Sequence, residues 1–271
     1  MSNLPTALPE MFVFDQSKLQ DFVDCPRRFY LKYVRQLRYP APESAPLREF
    51  EQQMERGSQF HHLVHQHLVG IPADMLEDTI SDDAVGAWWD NYLAYGLADL
   101  PPTRLPETIL TVPLAGKRLV ARFDLLATDE QRAVIVDWKT ALHRPKRAHL
   151  EHRLQTIVYR YVLARAKALA PEAITMIYWF AEFPRQPEIF AYSAEQFARD
   201  EAYLNTLATD ILARAETDFP LTENLDFCRF CSYRSLNERG AKAGNLLAAA
   251  DENTDSFDID LDLDQIAEIE F

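Results

Sequence analysis

The sequence predicts a mixed α/β fold, in which a β-sheet is flanked by helices and preceded by an α-helical N-terminal part. Three observations support this prediction. The first hundred residues show the apolar spacing of amphipathic helices. Three strand-like segments joined by short turns follow, over residues 108–140. A long helical segment, another strand and a further helix come next, and such an order is typical of layered α/β domains.

The N-terminal part is predicted to be helical after an irregular leader at residues 1–14. Ser17 can cap the first helix, and Pro26 interrupts its apolar pattern and can divide it in two. A linker follows, because three prolines stand close together: Pro40, Pro42 and Pro46. The three predicted helices cover residues 17–37, 47–69 and 84–95.

The central segment contains three predicted strands. They cover residues 108–114, 118–128 and 133–140. The turns at residues 115–117 and 129–131 have hairpin length, so the strands are expected to form an antiparallel meander. An uninterrupted apolar run at residues 134–136 is typical of a strand that is buried on both faces.

The C-terminal half is predicted to alternate between helix and strand. A helix over 149–170 is followed by strands over 174–183 and 189–192 and by a helix over 193–216. With 271 residues, 48% of them hydrophobic, the chain is long enough to bury a sizeable core. We therefore predict three regions: a helical part at 1–100 packed on the core, a core with a cysteine segment at 101–245, and an acidic, disordered tail at 246–271.

Composition also restricts the location of the chain. No apolar run approaches the ~20 residues that a membrane helix needs. The first residues lack the basic and then apolar pattern of a signal peptide, so a cytoplasmic location without a membrane partner is expected. Three cysteines are too few for a disulfide scaffold.

The formal net charge of −14 argues at first against a nucleic-acid partner. However, nine of the 42 acidic residues lie at 251–271, which leaves 33 acidic against 28 basic residues in the rest of the chain. The basic residues include two runs: Arg27, Arg28, Lys32, Arg35 and Arg38, and then Arg144, Lys146, Arg147 and Arg153. Such patches can contact phosphate, although a solvated helix face is the commoner role.

Asp137 and Lys139 are the strongest candidates for chemistry. They are two residues apart in a predicted strand, so their side chains point to the same face. Asp124 lies on the preceding strand, and two carboxylates on neighbouring strands can converge on one Mg²⁺ ion. The metal would activate water, and Lys139 would stabilise the transition state.

A surface ion pair is the alternative interpretation of Asp137 and Lys139. An acid two residues before a lysine is common, and such pairs are usually exposed. In this chain, however, only one of the seven lysines has an acid at that spacing, and it lies in a strand that is predicted to be buried. A buried charged pair without a function is costly.

Two helical pairs accompany these residues. His61 lies four residues after Gly57 and could be an additional metal ligand, or it could belong to a polar helix face with His62, His65 and His67. His61 and His65 could also bind zinc, but no obvious third ligand accompanies them. Gln155 and Tyr159, also four apart, can bind substrate or brace Lys139, although ordinary helix surface and packing are commoner roles.

In this order, the motifs resemble those of RecB-like nucleases of the PD-(D/E)XK superfamily, which include CRISPR-associated exonucleases. The resemblance extends over residues 14–240 and includes the segments at 17–30 and 228–234. It implies a restriction-endonuclease-like core and DNA, as single strands or ends, as the substrate.

The resemblance also implies roles for single residues. His61, Asp124 and Asp137 would bind Mg²⁺ or Mn²⁺, and Lys139 would be catalytic together with the two aspartates. Four further side chains are expected to bind substrate or to support the active site: Gln155, Tyr159, Arg144 and Arg153.

The cysteines match the iron–sulfur branch of this family in part. Cys25, Cys228 and Cys231 match three ligands of a [4Fe–4S] cluster, but Asn237 occupies the fourth position. Such a cluster normally has four thiolate ligands, and an amide is a poor ligand for iron. Three interpretations are open: a cluster with another fourth ligand, a zinc site with a nearby histidine, or a degenerate site without a stable cluster, which we favour.

Three phenylalanines are expected to pack the two cysteine segments together even without a metal: Phe29, Phe227 and Phe230. The acidic tail at 251–271 could bind a partner protein or occupy the chain's own DNA groove, but a solubilising end is the simpler interpretation.

The sequence thus predicts a metal-dependent DNA nuclease, expected to be an exonuclease in DNA repair, recombination or defence. Its basic segments would hold the DNA backbone without reading the base sequence. The chain contains no helicase motif, so a helicase or another repair protein is a candidate partner. Two alternatives remain: a catalytically weak or inactive DNA-binding or assembly subunit of a helicase–nuclease complex, and a nuclease that acts on RNA.

Overall fold

The structure, a computed structural model, describes residues 8–38, 45–96, 99–229 and 231–240. For residues 45–47, 49 and 50 it describes the backbone alone. Four predicted features lie outside the described residues: Pro40, Pro42, Phe230 and the acidic tail.

The N-terminal segment begins with a short strand, β1 (Val13–Phe14), where the sequence predicted an irregular leader. Helix α1 (Gln16–Asp24) is capped by Asp15 and not by Ser17, because the Asp15 carboxylate accepts the backbone N–H of Lys18. Helix α2 (Pro26–Phe29) and a π-helical turn (Tyr30–Val34) follow. Pro26 therefore divides the predicted helix, since proline is favourable at a helix start.

The next helices are α3 (Ala45–Leu68), α4 (Ala73–Glu77) and α5 (Asp83–Tyr95). The predictions of α3 and α5 are confirmed, whereas the short α4 was not predicted. Asp82 caps the start of helix α5, because its carboxylate accepts two backbone N–H groups of the first turn.

The predicted meander is confirmed as strands β2 (Thr103–Leu114), β3 (Lys117–Thr128) and β4 (Ala133–Lys139). The first six residues of β4 are buried, as its apolar sequence predicts. The tight turn between β2 and β3 uses Gly116 at a φ of 78°, a backbone conformation that favours glycine.

The predicted helix at 149–170 is instead two helices, α6 (Arg147–His152) and α7 (Leu154–Lys167). Arg153 separates them because its backbone is extended, with ψ at 141°. The remaining elements are β5 (Ile174–Phe180), β6 (Glu188–Ala191) and α8 (Ala194–Ala213), with 3₁₀ turns at Pro171–Ala173 and Leu225–Cys228.

In the part of the chain that the structure describes, the strands form one mixed six-stranded sheet. Strand β2 pairs with β3 along their length, while β1 and β4 pair with different stretches of β3. Strand β5 continues the sheet parallel to β4, and β6 pairs antiparallel with β5. Parallel pairing of β4 with β5 requires a crossover, which α6 and α7 provide.

Helices cover both faces of this sheet. Helices α1, α7 and α8 pack on one face through a large apolar cluster, and α3, α4 and α5 pack on the other through a cluster that contains Phe60, Trp88 and Trp179. The predicted fold class, a mixed sheet flanked by helices, is therefore confirmed. Within the described residues, no helix has the length and apolar composition needed to cross a membrane.

Candidate active site

The predicted site lies where strands β3 and β4 separate. Leu125 and Val136 are the last residues paired between these strands, and Asp124 and Asp137 come next on each strand. The Asp124 Oδ2 atom accepts the backbone N–H of Trp138 at 2.8 Å. The carboxylate of Asp124 thus satisfies a backbone N–H of β4 beyond the last paired residues of the two strands.

Asp124 also marks a change in the pleat of β3. Before it, Phe123 faces the α7 side of the sheet, whereas after it Leu125 faces the α3 side. On the neighbouring strand β2, Glu107 adopts a left-handed φ of 50°. Asp124 therefore lies between the two helical layers, where groups from both can reach it.

His61 reaches Asp124 from helix α3, one turn after the buried Gly57. Its Nδ1 atom lies 3.4 Å from Asp124 Oδ1. Burial acts to lower the pKa of His61, but the charge and hydrogen bond of Asp124 outweigh it and raise that pKa. Burial acts to raise the pKa of Asp124, but His61 and the Trp138 N–H lower it below its usual value. Each of the two side chains therefore favours the charged form of the other.

On the α7 side, Asp137, Lys139 and Gln155 form a closed set of contacts. Lys139 Nζ lies 2.9 Å from Asp137 Oδ2 and donates to Gln155 Oε1 at 2.9 Å. Gln155 Nε2 donates to Asp137 Oδ1 at 2.9 Å. An ammonium only donates and a carboxylate only accepts, so these contacts fix the orientation of the amide. We call Asp124, Asp137, Lys139 and Gln155 the active-site fork.

Three further side chains of the α7 layer support the fork. Tyr159 lies one turn after Gln155 and contacts its Nε2 atom through the phenol oxygen at 3.4 Å. Tyr178 on β5 contacts Gln155 Oε1 at 3.2 Å and the Thr156 hydroxyl at 2.7 Å. Burial raises the pKa of Tyr178, so its hydroxyl stays protonated. Tyr178 and Thr156 were missed at the sequence level, because neither belongs to a local motif.

The fork has the donor chemistry of a site for a hard divalent cation. Its carboxylates offer oxygen ligands, and His61 offers an imidazole nitrogen. Among the described residues, however, no group of three or more His, Cys, Asp or Glu side chains is arranged to hold a metal ion. Two carboxylates are enough for Mg²⁺, which keeps several waters and binds substrate phosphate.

Arg144 and Arg147 lie near the start of the crossover that follows β4, and both contact Glu188. This glutamate, 7% exposed, binds Arg144 through Oε1 and Arg147 through Oε2, the latter at 2.7 Å. Arg153, also predicted to bind substrate, is half-buried at the start of α7 and is close enough to Tyr178 for its charge to influence the pKa of that residue. The structure thus joins Arg144 to Glu188 and places Arg153 beside the fork.

The three cysteines lie close enough together for their charges to interact, and we call Cys25, Cys228 and Cys231 the cysteine corner. All three are free thiols. Burial raises the pKa of Cys228, and repulsion from Cys25 raises it further. Asn237, which the resemblance drawn from the sequence aligns with a fourth ligand, is half-buried, and its backbone N–H donates to the Tyr233 carbonyl. Three thiols and an amide do not supply the four thiolates of a [4Fe–4S] cluster.

The predicted contact between the two cysteine segments is confirmed, but with a different aromatic residue. Phe219 stacks on Phe29 and Tyr30, with ring centroids 6.1 and 5.1 Å apart. The Tyr233 hydroxyl also donates to the Leu37 carbonyl at 2.7 Å. Phe227 is half-buried in the turn that ends at Cys228. Phe219 was not predicted for this contact, because it lies outside the cysteine motif.

Comparison with known families extends over most of the chain. The sequence model of the PD-(D/E)XK nuclease superfamily matches residues 14–236, a stretch that contains the fork, His61 and the cysteine corner. No curated protein sequence is similar enough to count as a relative.

Solved structures with a related fold include the crystal structure of a candidate exonuclease from Eubacterium rectale. It is 12% identical in sequence and has a TM-score of 0.52, with 89% of this chain and 93% of that chain covered. The crystal structure of SSO0001 is 14% identical with a TM-score of 0.38, and 84% and 87% of the two chains are covered. The similarity to the first structure concerns the fold alone.

Proposed function

The chain belongs to the PD-(D/E)XK nuclease superfamily, and on this basis we propose that it is a metal-dependent deoxyribonuclease that acts as an exonuclease on single-stranded DNA or DNA ends. The observation that carries the proposal is the closed set of contacts among Asp137, Lys139 and Gln155 beside Asp124. Burying these charges is costly, and a catalytic site is a reason to retain them. The order of the motifs further supports a RecB-like nuclease of DNA repair, recombination or defence.

In this proposal, Asp124 and Asp137 hold Mg²⁺ or Mn²⁺, with His61 as an additional ligand. Carboxylate oxygens suit both ions, and the two aspartates follow the last paired residues of β3 and β4. When bound, the ion supplies positive charge beside the phosphate and makes water more acidic.

The proposed reaction is hydrolysis of a phosphodiester bond. Water attacks the phosphorus in line, the bond to the leaving oxygen breaks, and negative charge grows on the phosphoryl oxygens. The ammonium of Lys139 stabilises that charge. Because Asp137 and Gln155 already hold Lys139 in place, little reorganisation is needed during the reaction.

We propose that the DNA backbone is held by arginines beside the fork. Arg144 and Arg147 both form ion pairs with Glu188, and 34% and 52% of their side chains are exposed. Arg153 supplies a further charge near the start of α7. Contacts of this kind bind phosphates irrespective of the base sequence, so they suit a nuclease that digests strands without sequence preference.

The direct test is cleavage of end-labelled single- and double-stranded DNA with Mg²⁺ or Mn²⁺. Asp137→Ala and Lys139→Ala are expected to lower kcat by about 100-fold or more. Lys167→Ala, which alters an exposed lysine at the end of α7, is the matched control and is expected to keep full activity. Unchanged cleavage by both fork variants would refute the assignment, and competition with RNA would reveal a preference for RNA.

A non-catalytic DNA-binding or assembly subunit is the second candidate function. Its specific support is the cysteine corner, which lacks a fourth thiol because Asn237 occupies that position. A subunit that had lost catalysis would be expected to lose fork residues as well, yet Asp124, Asp137 and Lys139 are all present. DNA binding without metal-dependent cleavage by the wild-type chain would favour this second candidate.

A further inference from the structure

Tyr178 lies directly behind the fork on strand β5. It is aligned with Asp137 of β4 in the parallel pairing of the two strands. Its side chain is fully buried, and its ring lies 5.3 Å from Lys139 Nζ. Its hydroxyl is 3.2 Å from Gln155 Oε1, the same atom that accepts from Lys139. Tyr178 therefore contacts both Lys139 and Gln155, the side chain that accepts from the Lys139 ammonium.

Thr156 determines where the hydroxyl proton of Tyr178 goes. The Thr156 hydroxyl lies 2.7 Å from the Tyr178 oxygen and 2.6 Å from the Leu150 carbonyl. The Thr156 hydroxyl donates to the Leu150 carbonyl, because a carbonyl oxygen can only accept. The Tyr178 hydroxyl is therefore the donor in its own two contacts, and its proton is shared between the Thr156 oxygen and Gln155 Oε1.

We propose that Tyr178 is a positioning residue of the active site, whose hydroxyl holds the Gln155 amide with Oε1 toward Lys139 and Nε2 toward Asp137. Lys139 alone could attract Oε1, but it is a flexible side chain with rotatable donors. A second donor from the rigid sheet fixes the amide independently of the lysine. The effect on catalysis rests on the proposed function, whereas the orientation of Gln155 does not.

Packing by itself does not account for a tyrosine at this position. The ring meets Phe190 edge to face at 6.0 Å, a contact that phenylalanine would make equally well. A buried hydroxyl costs free energy unless it is hydrogen-bonded, and this one is bonded to Gln155 and Thr156. The hydroxyl is thus the part of Tyr178 that the fork requires.

The first test measures the Gln155 side-chain amide by ¹H–¹⁵N NMR in the full chain, with the resonances assigned by their loss in Gln155→Leu. Tyr178→Phe is expected to shift these resonances. Tyr161→Phe, which removes the hydroxyl of another buried tyrosine, is expected to leave them in place. Thr156→Val provides a second variant on the same hydrogen-bonded chain and is also expected to shift them. Unshifted Gln155 resonances in both Tyr178→Phe and Thr156→Val would overturn the proposal.

The second test is a double-mutant cycle on DNA cleavage. Tyr178→Phe is expected to lower kcat about 5-fold with little change in KM, the factor for one hydrogen bond of about 1 kcal/mol. In a Gln155→Leu background the same substitution should have no further effect. An equal loss in both backgrounds would show a packing role and overturn the proposal. Absence of cleavage by the wild type would instead refute the proposed function, while the NMR test would still decide the orientation of Gln155.

Discussion

The active-site fork and the cysteine corner are both assembled from residues that are far apart in the sequence, but they differ in completeness. In the fork, Asp137, Lys139 and Gln155 contact one another at 2.9 Å. In the cysteine corner, three free thiols lie close together, and Asn237 occupies the position that the resemblance to iron–sulfur nucleases assigns to a fourth ligand. The contacts of the fork form a closed set, whereas the cysteine corner has three of the four thiols that this resemblance implies.

The two regions have different physical requirements. Stabilising a phosphoryl group requires charges placed to within a fraction of an ångström, so a single lost group is costly. Joining two chain segments requires favourable contact area, which many residues can supply. Phe219 and the Tyr233–Leu37 hydrogen bond supply such contacts beside the cysteine corner.

The largest expected effect comes from breaking the fork. Asp124→Asn is expected to lower kcat about 1000-fold, because it removes a charge at the proposed metal position. Asp129→Asn, an exposed aspartate in the turn after β3, is the matched control and should keep wild-type activity. Single-turnover cleavage of labelled DNA measures both. Similar losses in the two variants would contradict the special role of Asp124.

The next largest effect is expected at Phe219, whose ring stacks on Phe29 and Tyr30 of the N-terminal cysteine segment. Phe219 is 2% exposed and packs against Phe22, Phe29 and Tyr30. Phe219→Ala is expected to lower the free energy of unfolding by about 3 kcal/mol through the cavity that it leaves. Urea unfolding measures the change, with Leu221→Ala, at a residue 37% exposed, as the control. A loss no larger than that of the control would refute the importance of this contact.

A smaller effect is expected at Asp21, which binds Arg28 at 2.7 Å and Lys32 at 3.0 Å near the cysteine corner. Burial acts to raise the pKa of Asp21, but Arg28, Lys32 and Tyr33 outweigh it and lower that pKa. Its contribution is therefore present above the unfolded value of about 4 and is lost as the pH falls through the lower folded value.

Asp21→Asn is thus expected to reduce stability by about 2 kcal/mol at pH 7, since bonds to charged groups are lost. The difference from the wild type should shrink as the pH falls below about 4. Urea unfolding at several pH values tests this, and a difference that stays constant down to pH 2 would contradict the lowered pKa.

The smallest expected effect is that of iron chelators on the cysteine corner. Anaerobically purified protein is expected to contain far less than one iron per chain. Iron chelators should leave Tm unchanged, because no cluster contributes binding energy to folding. Near-stoichiometric iron and sulfide, with a fall in Tm after chelation, would show instead that the three thiols bind a cluster with another fourth ligand.

Local patterns were sufficient to predict much of the fork. Asp137 and Lys139 share a face because strand side chains alternate, and Gln155 and Tyr159 share one because they are four apart on α7. The same rules correctly predicted the three meander strands and helices α3 and α5. They failed at Arg153, whose extended backbone interrupts a helix that the pattern predicted to be continuous.

The sequence by itself determined the chemistry of the candidate site and the order of its motifs, since residue types and short spacings are local properties. The tertiary structure decided how these groups meet. Separation of β3 from β4 turns Asp124 toward both helical layers, and parallel pairing of β4 with β5 places Tyr178 behind Lys139. Phe219 is likewise brought to Phe29 from 190 positions along the chain. Such contacts depend on long-range packing, which no short pattern in a sequence encodes.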